Sequence, residues 1–174
     1  MKKVFITGVS GTGKTTLAEE LKNRGIRVID VDHIPGLCSW VNNETGDEVA
    51  IANIANIDNK FIDEHDYVCN IEKLESMMNE SSNLVMVFGS VGDNSKLLPL
   101  FDKVFLLRCA PKVITERLKT RTTNNFGKDT AVQERMLDWR TVFDKLMLDA
   151  GAVPIDTEQP LEKVAEQVVE AIYS

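Results

Sequence analysis

Residues 8–15 read Gly8-Val9-Ser10-Gly11-Thr12-Gly13-Lys14-Thr15 and fit G-x-x-x-x-G-K-[ST] without deviation. No other stretch limits the fold so tightly. A β-rich run at 3–7 precedes it. A helical pattern at 15–23 follows, with Leu17, Ala18 and Leu21 on one face and Gly25 just past its end. Glycines let successive N–H groups curl around a phosphate, and the helix N-terminus adds its dipole. Gly8, Ser10, Gly11, Thr12, Gly13, Lys14, Thr15 and Thr16 are therefore the expected phosphate-binding residues. Lys14 would reach the β- and γ-phosphates, and the Thr15 hydroxyl would ligate Mg²⁺. The spacing is not G-x-G-x-x-G, which disfavours a dinucleotide site.

The rest of the chain alternates strand and helix patterns. Runs at 27–31, 84–88, 104–107 and 153–155 are short and apolar. Apolar runs without alternation suit strands covered on both faces. Helical patterns occupy 71–78, a segment opened by Pro111, a segment opened by Thr130-Ala131-Val132-Gln133, and a last one opened by Pro160. Val132, Met136, Trp139, Phe143, Leu146 and Met147 mark one face of the third of these. Five strands alternating with helices predict a parallel α/β sheet in a single domain spanning 1–174.

Composition narrows the partners. Twenty basic against twenty-seven acidic side chains leave a net charge of −7, which opposes general nucleic-acid binding and attraction to anionic membranes. No apolar run approaches the length of a membrane span. Cys38, Cys69 and Cys109 are odd in number and widely spaced, the pattern of reduced thiols in a cytoplasmic protein.

Two further features carry chemistry. Asp30 and Asp32, at i and i+2, would share one side of a strand end that faces the ligand crevice of an open sheet. One carboxylate could serve Mg²⁺ and the other accept the proton of an attacking hydroxyl. Arg117 and Arg121 share a helix face, where positive charge could stabilise a migrating phosphoryl group. Absences count as well. No Asp has Gly three residues on, and the 84–88 run ends in Gly89-Ser90 rather than a carboxylate, which argues against a GTPase switch and a motor.

The ordered set of Walker A loop, Asp-x-Asp, R-x-x-x-R and a final strand-loop-helix around Gln159 resembles the nucleoside-monophosphate kinase and shikimate kinase superfamily. The resemblance covers 1–33 and roughly 84–174. It implies a three-layer α/β/α P-loop fold, strand order 2-3-1-4-5, and ATP with Mg²⁺ as cofactors. It also implies roles: Arg117 stacks on adenine, Arg121 contacts phosphates, and the loop around Gln159 meets the adenine edge. Asp30 serves magnesium and Asp32 the acceptor. Residues 121–130 form a short lid with Lys128 toward phosphate, and Arg135 and Arg140 complete a cationic clamp.

Departures from that pattern bear on the acceptor. The monophosphate-kinase signature after the third strand is replaced by Phe88-Gly89-Ser90-Val91-Gly92-Asp93, and the shikimate-type glycine triplet is missing. Between Val28 and Leu107 the chain has no arginine, whereas anionic acceptors call for bidentate arginine. The expected activity is ATP-dependent phosphoryl transfer by Lys14, Asp32 and Arg121 to a neutral or cationic small molecule: a nucleoside, a sugar or polyol, or an amino compound. A nucleoside-monophosphate kinase and a non-catalytic nucleotide-binding regulator are the rivals, and the assembly is a monomer or homodimer. The insertion at 34–82 would set acceptor specificity. Within it, Trp40 either stacks on a ring or packs a satellite core. His33 is a second proton carrier or a surface histidine.

Overall fold

The computed structural model describes residues 1–52, 54, 57–80, 83–92, 94–122 and 129–173. In chain order the elements are β1 (Lys2–Thr7), α1 (Lys14–Asn23), β2 (Arg27–Asp30), β3 (Cys38–Asn42), β4 (Glu48–Val49), α2 (Asn59–Glu64) and β5 (His65–Cys69). There follow α3 (Ile71–Met78), β6 (Leu84–Phe88), β7 (Lys103–Arg108), α4 (Pro111–Thr120), α5 (Thr130–Asp149), β8 (Val153–Asp156) and α6 (Leu161–Tyr173).

The central sheet has five strands in the order β2-β6-β1-β7-β8, all parallel. Counted along these strands alone, the order is second, third, first, fourth, fifth, as the resemblance implies. Alternation along the strands fills both faces. Val4, Ile6, Met86, Phe88, Phe105 and Leu107 pack beneath α1 and α6, against Leu17, Leu21, Val164 and Val168. Phe5, Val85 and Val87 face the other way, toward Leu74 and Met78 of α3. Leu106 meets Ile114 and Leu118 of α4 and Phe143 and Met147 of α5. Fully burying one such side chain contributes about 1.5–3 kcal/mol before entropy is counted. Two covered faces explain why these strands read as apolar runs.

Three local expectations change. The helix of α5 starts on Asp129, whose carboxylate accepts the N–H groups of Ala131 and Val132, so the cap is one residue earlier than Thr130. On that helix Trp139 is 42% exposed and Leu146 57% exposed, so the buried stripe runs through Val132, Met136, Phe143 and Met147 instead. The strand carrying the two aspartates stops at Asp30. Residues Val31–His33 form a single 3-10 turn, capped by the Asp30 carboxylate on the N–H of Asp32 at 3.2 Å.

The insertion is a second, antiparallel sheet in the order β4-β3-β5. The sequence reading contained neither β3 nor β5. Both are short and mix polar with apolar residues; among the described residues β3 pairs with β4 and β5, and β5 pairs with β3.

Candidate functional site

The site begins at the turn between β1 and α1. Gly8, Gly11 and Gly13 all have positive φ, at 151°, 87° and 98°. Space demands glycine as firmly as the torsions do at the first two. A Cβ on Gly8 would lie 2.7 Å from Leu107 O and 2.8 Å from Thr12 Oγ1. One on Gly11 would meet Ile114 Cγ2 at 3.1 Å and Leu118 Cγ at 3.2 Å. The loop is thus seated directly on β7 and α4. Thr12, buried, closes it from within by donating its hydroxyl to Val9 O at 2.8 Å.

Lys14 opens α1 and folds its ammonium back over the loop, donating to Gly8 O at 2.6 Å and Val9 O at 3.3 Å. Burial pulls its pKa down, while Asp32 and Asp30 act the other way and Arg121 reinforces the burial effect. Burial pushes the Asp32 carboxyl up, opposed by Lys14, and Asp30 raises it further. Burial also lowers Arg121. Three charged groups therefore share a half-enclosed space in which each is less well solvated than in water. An anion between Lys14 and Arg121 relieves both cations.

One cleft of about 460 Å³ gathers most of the expected residues. Ser10, Gly11, Gly13, Lys14, Thr15 and Thr16 form its floor. Asp32, Arg117, Arg121, Thr157 and Gln159 are also in its lining. The Thr15 hydroxyl and Asp32 carboxylate bring oxygen donors, the ligand type Mg²⁺ takes. Asp30 is not among the lining residues. Its carboxylate caps the turn and faces His33 Nδ1 at 3.1 Å, which accounts for His33 as a partner of Asp30.

Arg117 on α4 and Arg121, which caps its C-terminal end in extended conformation rather than sharing the helix face, play unlike parts. Arg121 donates to Ser10 Oγ at 3.0 Å, which brings its charge to the phosphate loop. Arg117 donates to Thr157 Oγ1 at 3.1 Å and Thr157 O at 2.7 Å, and reaches Thr12 O at 3.4 Å. It ties the phosphate loop to the connection between β8 and α6. The proposed clamp does not assemble. Arg135 donates to Asn59 O and to Asp63 Oδ1 at 2.7 Å, and Arg140 lies 3.4 Å from Asp144 Oδ2, which it shares with Arg108 at 3.0 Å. Arg108, Arg140 and Asp144 line a separate depression on the far side of β7. The lid residues 123–128, with Lys128, lie outside the described residues.

Several contributors were not legible in the sequence. Tyr67 of β5 donates its hydroxyl to Asp32 Oδ1 at 3.1 Å, joining the insertion to the cleft. Thr157 carried no signal. Gly89 read only as a strand end, yet a Cβ there would intrude on the Cγ2 methyl of Val31, in the turn that presents Asp32. Trp40 packs edge-on to Phe61 at 5.3 Å and tilted to Tyr67 at 5.2 Å, so it builds the insertion's own aromatic cluster. Among the described residues, no group of three or more His, Cys, Asp or Glu is placed to hold a metal by protein ligands alone. No helix among them is long and apolar enough to cross a membrane.

Comparison with known proteins agrees with this geometry. A family model described as "AAA domain" matches residues 4–138. A protein of Archaeoglobus fulgidus named "Putative adenylate kinase" is 30% identical over 170 residues, covering 97% of this chain and 80% of its own. One of the same name from Methanocaldococcus jannaschii is 29% identical over 172 residues, covering 98% and 85%. Shikimate kinase from Acinetobacter baumannii superposes with a TM-score of 0.65 at 18% identity, over 99% of this chain and 93% of that one. A deoxyadenosine kinase from M. mycoides superposes with a TM-score of 0.60 at 14% identity, over the whole of both chains. At these identities the structural matches speak for the fold.

Proposed function

We propose, for a chain that belongs to the AAA domain family and to the superfamily of small P-loop kinases, that it transfers a phosphoryl group from ATP to a small-molecule acceptor. One observation carries the reading. A single cleft holds the glycine loop, Lys14, Thr15, Asp32 and Arg121 together, with Gln159 also in its lining.

The chain's residues divide the work. Loop N–H groups and the start of α1 bind the donor phosphates. Lys14 leaves the carbonyls of Gly8 and Val9 when a phosphate arrives, and its charge then follows the migrating group. Arg121 adds positive charge from the Ser10 side. Asp32, oriented by Tyr67, accepts the proton of the acceptor hydroxyl. Burial pushes its carboxyl up, toward better basicity. Gln159 and Arg117 border the base end of the donor. Thr15, by its hydroxyl, and Asp30, by its charge, are the proposed magnesium residues. The ion, when bound, neutralises charge on the donor phosphates.

The proposed acceptor is neutral or cationic. Arg135 and Arg140, the arginines of the expected clamp, are held by Asp63 and Asp144. The names of the two archaeal relatives favour a second reading, in which the acceptor is a nucleoside monophosphate. The segment between Val28 and Leu107, without arginine, weighs against it. Cytoplasmic residence is proposed with this activity, from three cysteines with free thiols.

The test is ADP release with ATP and Mg²⁺ across nucleosides, nucleoside monophosphates, sugars and amino alcohols. Turnover stimulated by a neutral or cationic compound is the expected result. Stimulation by AMP or CMP alone would replace this acceptor class with the second reading. Tight ATP binding without stimulation by any acceptor would overturn phosphoryl transfer and leave a nucleotide-binding regulator.

A further inference from the structure

The insertion holds a chemical feature that phosphoryl transfer does not use. In the antiparallel pair of β3 and β5, Cys38 stands directly opposite Cys69. The ladder is bracketed by two backbone hydrogen bonds. Asn70 N–H donates to Leu37 O at 2.8 Å, and Asn43 N–H donates to Glu64 O at 2.9 Å. Hydrogen-bonded and non-hydrogen-bonded pairs alternate along such a ladder. Residues 37 and 70, and 43 and 64, are of the first kind, so 38 and 69 are of the second. There the α-carbons are about 4.5 Å apart and side chains approach most closely. That separation falls inside the window of about 4.4–6.8 Å in which a disulfide joins two residues without moving the backbone.

Both thiols are half-buried, whereas Cys109 is 5% exposed in a different cluster. The two thiols lie close enough to bias one another's ionisation. The interaction with Cys38 holds the Cys69 thiol below the usual cysteine range, and the interaction with Cys69 together with burial pushes the Cys38 thiol up. Cys69, the more readily ionised of the two, is assigned the first attack and Cys38 the second.

We propose that Cys38 and Cys69 form a reversible dithiol modification site, oxidised by a hydroperoxide to a cross-strand disulfide. In the first step the Cys69 thiolate attacks the terminal oxygen of the hydroperoxide. An S–O bond forms, the O–O bond breaks, and the alcohol leaves with a proton, which makes Cys69 a sulfenic acid. In the second step Cys38 Sγ attacks Cys69 Sγ. An S–S bond forms, the S–O bond breaks, and hydroxide leaves as water with the proton from Cys38. Two electrons pass from the two thiols to one hydroperoxide, which ends as alcohol and water. A dithiol reductant restores the pair by exchange.

The pair is coupled to the cleft. Tyr67, two residues before Cys69 and on the same face of β5, donates to Asp32 Oδ1 and neighbours the Cys38 thiol. Oxidation removes the Cys38 thiol from that chain of contacts. An effect on turnover rests on the phosphoryl-transfer reading, but the modification itself does not, and the test reads the modification directly.

The fully reduced chain is treated with one equivalent of tert-butyl hydroperoxide. Thiols are counted, the intact mass is measured, and peptides are mapped without reduction. The expected result is loss of two of the three thiols per chain. The mass should fall by two hydrogens, and a single Cys38–Cys69 cross-linked peptide should disappear on adding dithiothreitol. Cys38→Ser should accumulate a Cys69 sulfenic acid that dimedone traps, and Cys109→Ser should still form the cross-link. Persistence of all three thiols, reaction of Cys109 as fast as Cys69, or disulfides only between chains would each overturn the proposal. The mapping on the unmodified sequence decides the matter even where a serine variant fails to fold.

Discussion

Replacing Arg117 with alanine separates two roles for one side chain. The resemblance to small kinases assigns it to stacking on adenine. In the structure its guanidinium instead donates to Thr157 Oγ1 at 3.1 Å and to Thr157 O at 2.7 Å, and reaches Thr12 O at 3.4 Å. Thr157 is 7% exposed, so its carbonyl has little solvent to turn to. A hydrogen bond to a charged group contributes about 1.5–3 kcal/mol. Arg117 is itself only half-buried, so we take roughly 2–4 kcal/mol for the pair rather than the full sum. For a chain of this size each kcal/mol moves Tm by about 2–4 °C, so ligand-free Arg117→Ala should melt about 4–16 °C lower. Its KM for ATP should also rise, by roughly tenfold or more, because Thr157 and Gln159 share the loop that borders the cleft. Arg117→Lys should fall between, since an ammonium is a point charge that cannot span both oxygens of Thr157. Scanning calorimetry without nucleotide, followed by ATP titration of initial rates, measures both effects. A ligand-free Tm within about 1 °C of the parent, with weakened ATP binding, would refute the tethering role and restore the stacking one.

Other perturbations follow from the same geometry. Lys14→Ala should reduce turnover by ~10²–10³-fold or more while far-UV circular dichroism stays unchanged, because the loop is closed by Thr12 and its glycines rather than by the ammonium. Gly11→Ala should cost about 2–5 kcal/mol in urea denaturation, combining a left-handed torsion with overpacking against Ile114 and Leu118. Asp144→Ala should cost about 3–5 kcal/mol, since Asp144 is 6% exposed and offsets both Arg108 and Arg140. Replacing Arg140 with Met in that background should recover most of the loss, as read from denaturation midpoints. Chelating magnesium with EDTA should abolish acceptor-stimulated ADP release, and added Mg²⁺ should restore it.

The scaffold was readable because its signals are local and redundant. A strand covered on both faces must be apolar throughout, and residues 84–88 are Leu, Val, Met, Val and Phe. The phosphate loop was readable for a stricter reason: at Gly8 and Gly11 any side chain would collide with β7 or α4. Contacts between distant segments left no such trace. Nothing local marks Thr157 as the acceptor for an arginine forty residues away, or Tyr67 as the donor to Asp32. The insertion's strands were missed because two short strands paired mainly with each other need no apolar run. The aspartates were found, but their expected common face was not. The strand ends at Asp30, and its carboxylate is used to turn the chain that presents Asp32.

The distribution of arginine is the strongest physical argument about the acceptor. The chain has seven. Arg24 pairs with Glu20 and Arg27 with Glu80, on the outer surface of the sheet's first crossover. Arg108 and Arg140 share Asp144, Arg135 is held by Asp63, and Arg117 is spent on Thr157. Arg121 is directed at the phosphate loop through the Ser10 side chain. A dianionic acceptor would need a second cation opposite Asp32, and among the arginines Arg135 is the one paired with the insertion, through Asp63. Recruiting it would break a contact between α2 and α5 and leave Asp63 facing the new anion. The monophosphate reading thus requires a rearrangement whose cost the neutral-acceptor reading avoids. Asp63→Asn separates the two. It should leave KM for a neutral acceptor within about twofold, since an exposed pair contributes little. It should lower KM for a monophosphate, by freeing the arginine that such an acceptor must borrow.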